Sequence, residues 1–289
     1  MIEMAAPAKI NLTLRVLGRR EDGFHEIETL IVPVGLADRL TIEEAEEWSF
    51  SCDDPTVPGD EGNLVVRAAR LFFAETGVKG AVGLRLMKAI PHGAGLGGGS
   101  SDAAATLRML DQFYGTALAK ERMMRMAAEL GSDVPVFIEG GPAWCRGRGE
   151  IVENANFSEQ LPVLLLKPEF GVPTPWAYKR WKESRPLPGV CYEGQRFPWG
   201  RLENDLERPV FEKYLVLAAM KEWLREQPET AGALMSGSGS TMFAVLREPG
   251  MGGPLSLRAK GTFGSGLWAL ETAAGCLAEC AQAGKVATV

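Results

Sequence analysis

Pro91-His92-Gly93-Ala94-Gly95-Leu96-Gly97-Gly98-Gly99-Ser100-Ser101-Asp102 places five glycines in seven residues, just ahead of Ala103-Ala104-Ala105. With no side chains in the way, backbone N–H groups there can approach a bound group closely. A helix opening at the serines turns its first N–H groups and the positive end of its dipole toward the loop. Phosphate is the anion that such a cradle suits. A bare flexible turn would cost the same conformational entropy and gain no packing.

Three phosphate motifs can be tried on this string. Gly93-x-Gly95-x-x-Gly98 satisfies a dinucleotide fingerprint as a pattern, but Pro91 breaks the tight strand-to-loop junction that fingerprint needs. The lysine of G-x-x-x-x-G-K-[ST] is missing, as are the strand lysine, H-R-D and D-F-G sets of protein kinases. Ser100 and Ser101 can cap the helix, or offer hydroxyls to a phosphate or to Mg2+; Asp102 reads as a first-turn helix acid. Gly237-Ser238-Gly239 either brings further N–H groups to phosphates or turns the chain tightly into a strand at Thr241. Taken alone, Asp133 past Gly131 reads as a loop or cap residue, Lys9 as a solvated strand lysine, and His25 as a structural histidine.

The chain around these residues has 289 residues, 46% hydrophobic and 24% charged, which is ordinary for a soluble globular protein of two domains or one large one. Its net charge of −6 argues against a nucleic-acid binder, so a polyanionic substrate must meet a local positive field, which the glycine loop supplies. Two histidines make a histidine-rich zinc site unexpected. The five cysteines include no C-x-x-C pair, and Cys276 and Cys280, at i and i+4 of an expected helix, lie too far apart for an unstrained bridge. A reducing cytoplasm is the expectation. The first residues lack the basic and apolar parts of a signal peptide, and no apolar run is long enough to span a membrane.

The elements that must position the loops follow from periodicity. Strands are expected over 8–16, 26–34 and 39–43, with Ala37-Asp38 as a turn, and over 82–88, where Pro91 ends the run. Asn63 reads as the cap of a helix through Glu75, with Leu64, Ala68, Leu71 and Phe72 as its buried stripe and Gly77 as its stop. Further helices are expected over 100–113 and 118–130. Residues 163–166 read as a buried strand, and 168–200, rich in proline and tryptophan, as an irregular segment. Asn204 with Glu207 resembles a capping box. Helical patterning at 217–224, a strand over 241–246 and a helix over 267–281 complete a mixed α+β chain.

The string P-x-G-x-G-L-G-G-G-S-S-D-A-A resembles the ATP loop of the galactokinase, homoserine, mevalonate and phosphomevalonate kinase superfamily. Pro7-Ala8-Lys9-Ile10-Asn11-Leu12 resembles that superfamily's N-terminal motif, and Leu234-Met235-Ser236-Gly237-Ser238-Gly239-Ser240 its C-terminal glycine motif. Lys9 through Leu14, the stretch from Arg20 to Glu26, Gly131 through Phe137 and Pro173-Thr174-Pro175 are more specific, and resemble the 4-diphosphocytidyl-2-C-methyl-D-erythritol kinases. The resemblance implies an α+β, two-domain small-molecule kinase fold with ATP and substrate in the cleft between domains. The domains are expected at 1–155 and 156–289, with a seam near 150–160.

On that resemblance Lys9 and Asp133 are the catalytic pair. Lys88, Pro91, His92, Gly93, Ala94, Gly95, Leu96, Gly97, Gly98, Gly99, Ser100 and Ser101 hold ATP, Lys88 through its backbone. Asn11, Phe24, His25, Thr174, Tyr178, Gly237, Ser238 and Gly239 meet the substrate, with His25 reading the cytosine edge. Phe24 replaces the tyrosine expected for stacking on the base, which keeps the ring and loses the hydroxyl. Mg2+ is expected on ATP oxygens, waters and Ser100. The implied reaction is phosphorylation of the 2-hydroxyl of the cytidyl-diphospho alcohol by ATP, in non-mevalonate isoprenoid precursor synthesis, by a cytoplasmic monomer or homodimer. The alternatives are a kinase of the same superfamily acting on another small alcohol, against which the Phe24-His25 segment argues, and a non-catalytic ATP-binding module, against which Lys9 with Asp133 argues.

Overall fold

The apolar alternation at 8–16 extends well beyond those residues: strand β1 runs Ile2–Arg19 and pairs antiparallel with β2, His25–Glu44. The computed structural model describes residues 1–275. After β2 come β3 (Ser49–Cys52), α1 (Leu64–Thr76), β4 (Val82–Met87), α2 (Gly98–Tyr114), α3 (Lys120–Leu130) and α4 (Val134–Glu139). A hairpin, β5 (Ala143–Arg146) with β6 (Ile151–Asn154), leads to β7 (Gln160–Lys167), α5 (Thr174–Arg180), β8 (Gln195–Phe197) and β9 (Gly200–Asn204). The remainder is α6 (Glu207–Lys213), α7 (Leu215–Glu226), β10 (Thr230–Met235), β11 (Met242–Leu246), α8 (Gly252–Phe263) and β12 (Trp268–Gly275).

The strands run in the order β10-β11-β7-β12-β2-β1-β9-β8, while β4 and β5 also pair with β2. One core packs α1, α2 and α3 on β2 and β4 around Phe72 and Leu107; another packs α6 and α7 on β10 and β11 around Phe211 and Met220. A third joins the two halves of the chain, with Ile10, Leu12 and Val32 meeting Val163, Leu165 and Phe243. Phe72 is fully buried, and truncating such a phenylalanine to alanine costs about 3–5 kcal/mol.

Local signals account for much of this. Asn63 Oδ1 accepts the Val65 N–H at 2.9 Å, and Gly77 ends α1 in the left-handed region at φ 68°. Pro33 sits inside β2 opposite Lys9, next to a slip in the β1–β2 register, where a residue without an N–H is tolerated.

Four expectations fail for physical reasons. Ala37-Asp38 does not turn: β2 continues through it, because Asp38 is buried with its carboxylate satisfied by neighbouring groups. Asn204 does not cap a helix; its Oδ1 accepts the Leu206 N–H while its amide reaches back to β10 and the turn beyond it. Within the expected irregular segment, 174–180 is a short helix with proline in its first turn. Residues 268–275 form a strand, not the start of a helix, since they complete an antiparallel ladder with β7 that the alanine-rich sequence disguised. The rest of that expected helix, with Cys276 and Cys280, lies outside the described residues. Cys52, Cys145 and Cys191 are free thiols.

Candidate active site

The glycines of the 93–99 loop serve two ends. Gly93, Gly95 and Gly97 all take positive φ (61°, 74° and 72°), where side chains are strained. A Cβ on Gly95 would lie 2.4 Å from Ser236 O and 2.8 Å from Gly239 O; one on Gly97 would lie 2.8 Å from the Phe137 ring and 3.0 Å from Lys9 Cγ. These two glycines are demanded by protein packed behind them. Gly93 and Gly99 instead face almost open space. Gly97 caps α2 with no side chain, so the orphan N–H groups of the first turn stay free of any side-chain cap.

The loop is tied to the turn from the other half of the chain. Thr241 N–H donates to Ala94 O at 3.1 Å and Ser236 Oγ to Gly95 O at 3.0 Å. Thr174 Oγ1 and Ser238 Oγ share a hydrogen bond of 2.7 Å, which brings the start of α5 onto the same turn. Asn204 donates from Nδ2 to both Met235 O and Gly237 O at 2.8 Å. The two glycine motifs therefore meet backbone to backbone.

Beneath them lies Lys9, 4% exposed. Its N–H donates to Leu96 O at 2.9 Å, and its Nζ donates to Asn11 Oδ1 at 2.7 Å. Asn11 Nδ2 in turn donates to Thr29 Oγ1 at 2.8 Å, and Thr29 Oγ1 to Thr13 O. This chain of donors fixes the ammonium. Asp133 Oδ2 stands 3.7 Å from Lys9 Nζ and keeps 43% of its side chain exposed. Asp133 occupies the N-cap position of α4 yet makes no capping bond, so its carboxylate is left for the cavity. Cys145 lies close behind this pair. Burial, with Asp133 adding to it, pushes its thiol up to about 12, so it stays protonated and is no nucleophile.

On the far side, His25 lies 5.4 Å from the Tyr178 ring and 6.2 Å from Trp181. Burial first, and the Arg19 charge second, lower the His25 pKa below its usual 6.5, leaving a neutral imidazole with one donor and one acceptor at pH 7. Burial pushes the Tyr178 hydroxyl up, with the Asp133 charge adding to it. Phe24 is 49% exposed, with the Arg148 guanidinium 5.1 Å from its ring centroid. Arg148 is braced by Ala128 O, which accepts from Nη2 at 2.9 Å.

A single cavity of about 1270 Å³ runs between these walls, lined by Lys9, Asn11, Asp133, the glycine loop, the aromatic cluster and Thr174. Of the residues singled out from sequence, two do not line it. Ser101 is 1% exposed, turned into the packing of α2, where its Oγ finds no partner. Gly239 shapes the turn instead: a Cβ on it would lie 2.8 Å from Met235 Sδ.

Comparison with known proteins decides the family. Residues 63–141 match the profile "GHMP kinases N terminal domain", and residues 194–250 match "GHMP kinases C terminal". A 4-diphosphocytidyl-2-C-methyl-D-erythritol kinase from Methylacidiphilum infernorum is 42% identical over 92% of this chain and 94% of its own. One from Protochlamydia amoebophila is 38% identical over 84% of each. The chain belongs to the 4-diphosphocytidyl-2-C-methyl-D-erythritol kinase family. A crystal structure of 4-(cytidine 5'-diphospho)-2C-methyl-D-erythritol kinase superposes with TM-score 0.78 at 36% identity, covering 96% of this chain and all of the other. A homoserine kinase from Cytophaga hutchinsonii, TM-score 0.65 at 17% identity over 96% of this chain and 94% of its own, shares the fold. The α+β kinase fold expected from the motifs is thereby established.

Within this kinase family frame, several residues of the site escape a sequence reading. Asp102 is 2% exposed and bonds Lys88 rather than solvent. Burial, opposed by Lys88 and reinforced by Asp38, pushes the Asp102 carboxyl up to about 7. Burial works against the Lys88 charge, but Asp102 and Asp38 outweigh it and hold its pKa above the ordinary lysine value. Asp38 reads in sequence as a turn acid beside Ala37, with nothing local to tie it to Lys88. Arg148 and Trp181 have no motif at all, since only the fold brings them to His25 and Phe24.

Proposed function

We infer that this chain transfers the γ-phosphoryl group of ATP to the 2-hydroxyl of 4-diphosphocytidyl-2-C-methyl-D-erythritol, giving the 2-phosphate and ADP, in non-mevalonate isoprenoid precursor synthesis. What carries this reading is the placement of Asp133 beside a buried Lys9 held by Asn11, in a cavity walled by the glycine loop on one side and an aromatic cluster on the other. A tertiary alcohol is a poor nucleophile. The Asp133 carboxylate accepts the hydroxyl proton as the new O–P bond forms and the bond to the ADP oxygen breaks. Lys9, held by Asn11, keeps positive charge beside that carboxylate and orients the acceptor oxygen. Positioning and charge neutralisation supply most of the rest in phosphoryl transfer.

The glycine loop and the open N-terminal turn of α2 are assigned to the ATP phosphates, with the Lys88 backbone at the adenine. Neutral His25 is assigned to the cytosine edge, with Phe24 and Tyr178 as its stacking partners; Asn11, Thr174, Gly237 and Ser238 face the rest of the substrate. Among the described residues no group of three or more His, Cys, Asp or Glu is gathered to hold a metal. That donor set suits Mg2+ carried on phosphate oxygens and waters, with the Ser100 hydroxyl as the protein's contribution. Mg2+ when bound would neutralise phosphate charge. No helix among the described residues is long and apolar enough to cross a membrane; the cytoplasm is assigned as the compartment of the proposed reaction. We place the domain division at 1–155 and 156–289, either side of the shared core.

ADP release measured across a panel of alcohols tests the assignment. Turnover is expected with the cytidyl compound and not with mevalonate or homoserine; the reverse pattern would overturn it.

A further inference from the structure

Both ends of the ATP loop are joined by one buried ion cluster. Strand β4 enters the loop through Lys88, Ala89 and Ile90, and α2 leaves it through its first turns, which carry Asp102. Lys88 Nζ donates to Asp102 Oδ2 at 2.8 Å and also to Asp38 Oδ2. Asp38 Oδ1 accepts the N–H groups of Ala89 at 2.6 Å and Ile90 at 2.8 Å, while the Lys88 N–H donates to Asp53 Oδ1 at 2.8 Å. Three consecutive backbone N–H groups ahead of Pro91 are thus held by carboxylates. Gly98, where α2 begins, passes so near that a Cβ on it would lie 3.4 Å from Asp38 Oδ2 and 3.0 Å from Ile90 Cγ2. The side chains of Lys88, Asp38 and Asp102 are 10%, 0% and 3% exposed.

We propose that Asp38, Lys88 and Asp102 are positioning residues for nucleotide binding, a clasp that fixes the spacing between the two ends of the 91–98 loop and hence the aim of its N–H groups. The inference rests on the ATP reading of that loop. Two alternatives fit less well. Lys88 is not a phosphate-binding lysine, because its ammonium is committed to two carboxylates. Nor is stability a sufficient reason for the cluster, since well-packed apolar side chains commonly replace buried ions with no loss. Two acids to one base also add no attraction for a polyanion. What the cluster supplies is a fixed distance, at the two points where the loop joins the sheet and the helix.

The test uses the full-length enzyme, with ATP affinity measured by calorimetry alongside KM for each substrate. Lys88→Met is expected to raise the Kd and KM for ATP on the order of 10- to 100-fold, the scale of a small misplacement of binding groups, while KM for the cytidyl alcohol stays near the wild-type value. Lys88→Arg, which can still reach both acids, should recover much of the loss. Because Lys88→Met leaves two buried acids unpaired and can fail to fold, Asp102→Asn, nearly isosteric, carries the same test with a smaller rise in the ATP constants. A merely structural cluster would instead lower the melting temperature and the active fraction and leave the ATP constants of the folded enzyme unchanged; that result overturns the proposal. A wild-type chain that binds no ATP would overturn both the clasp and the ATP reading, whereas normal binding in wild type and Asp102→Asn alike would sink the clasp alone.

Discussion

The two walls of the cavity are built on different principles. On the glycine-loop side, backbone meets backbone through Thr241 and Ala94, Ser236 closes on Gly95, and the ions behind the loop are almost wholly buried. On the aromatic side, rings touch at angles, Phe24 is half exposed, and its neighbour Arg148 is held by a hydrogen bond to Ala128 O and a long ion pair to Glu150. One wall is set before a ligand arrives, as a charged phosphate tail that many substrates share allows. The other is held by weak, adjustable contacts, which suits a wall that must close on one particular base. Lys9 and Asp133 stand on the floor between, with Lys9 tied to the loop at Leu96 and packed under Gly97.

That contrast can be broken at four points. The largest effect is expected on the floor: Lys9→Met should lower kcat by about 10²–10⁴-fold and leave both KM values nearly unmoved. A large change in either KM would mean that the floor is not separable from that wall. Next comes Gly95→Ala. At φ 74°, with backbone oxygens 2.4 and 2.8 Å from the new Cβ, it should cost about 1–3 kcal/mol in packing strain beyond the left-handed penalty of about 1–2 kcal/mol. Calorimetric melting should show the loss, and KM for ATP should rise with it; a tolerated alanine would show that this wall is not rigid.

The aromatic side should respond more gently. Its pH dependence follows from His25, whose folded pKa lies below the unfolded value of 6.5. The neutral ring persists from alkaline pH down through about 6.5, so KM for the cytidyl substrate should be flat there and rise only under more acid conditions. Linkage has the same sign: below about pH 6.5 the unfolded chain takes up the proton first, and the stability contribution is lost as pH falls. In His25→Gln the acid rise in KM should vanish; its persistence would assign the titration elsewhere. Smallest is Arg148→Met, where losing an exposed cation–π contact of about 0.5–1 kcal/mol should raise the same KM about 2- to 5-fold. In a Phe24→Ala background the same change should do nothing further, and an additive loss would mean that Arg148 meets the substrate by itself.

The rigid wall was the legible one. Its geometry demands glycine at particular positions, a proline before them and small residues after, and those demands are written in residue types. The capped start of α1 at Asn63 is legible for the same reason. What was not legible depends on partners distant in sequence. Asp38 has the look of a turn acid until β4 brings Lys88 against it, and Asn204 has the look of a cap until β10 lies alongside. Residues 268–275 carry a pattern that suits either helix or strand, and only pairing with the edge of β7 that β11 leaves open settles it. Arg148 reaches Phe24 because the β5–β6 turn folds over the β1–β2 connection, a fact of topology with no local signal.

The central claim is that Asp133 takes the acceptor's proton. ADP formation by Asp133→Asn, with ATP and 4-diphosphocytidyl-2-C-methyl-D-erythritol both saturating, tests it most directly. The account predicts turnover lowered by about 10²–10⁴-fold in a protein that still melts as wild type and still binds ATP. Turnover at the wild-type rate would contradict it.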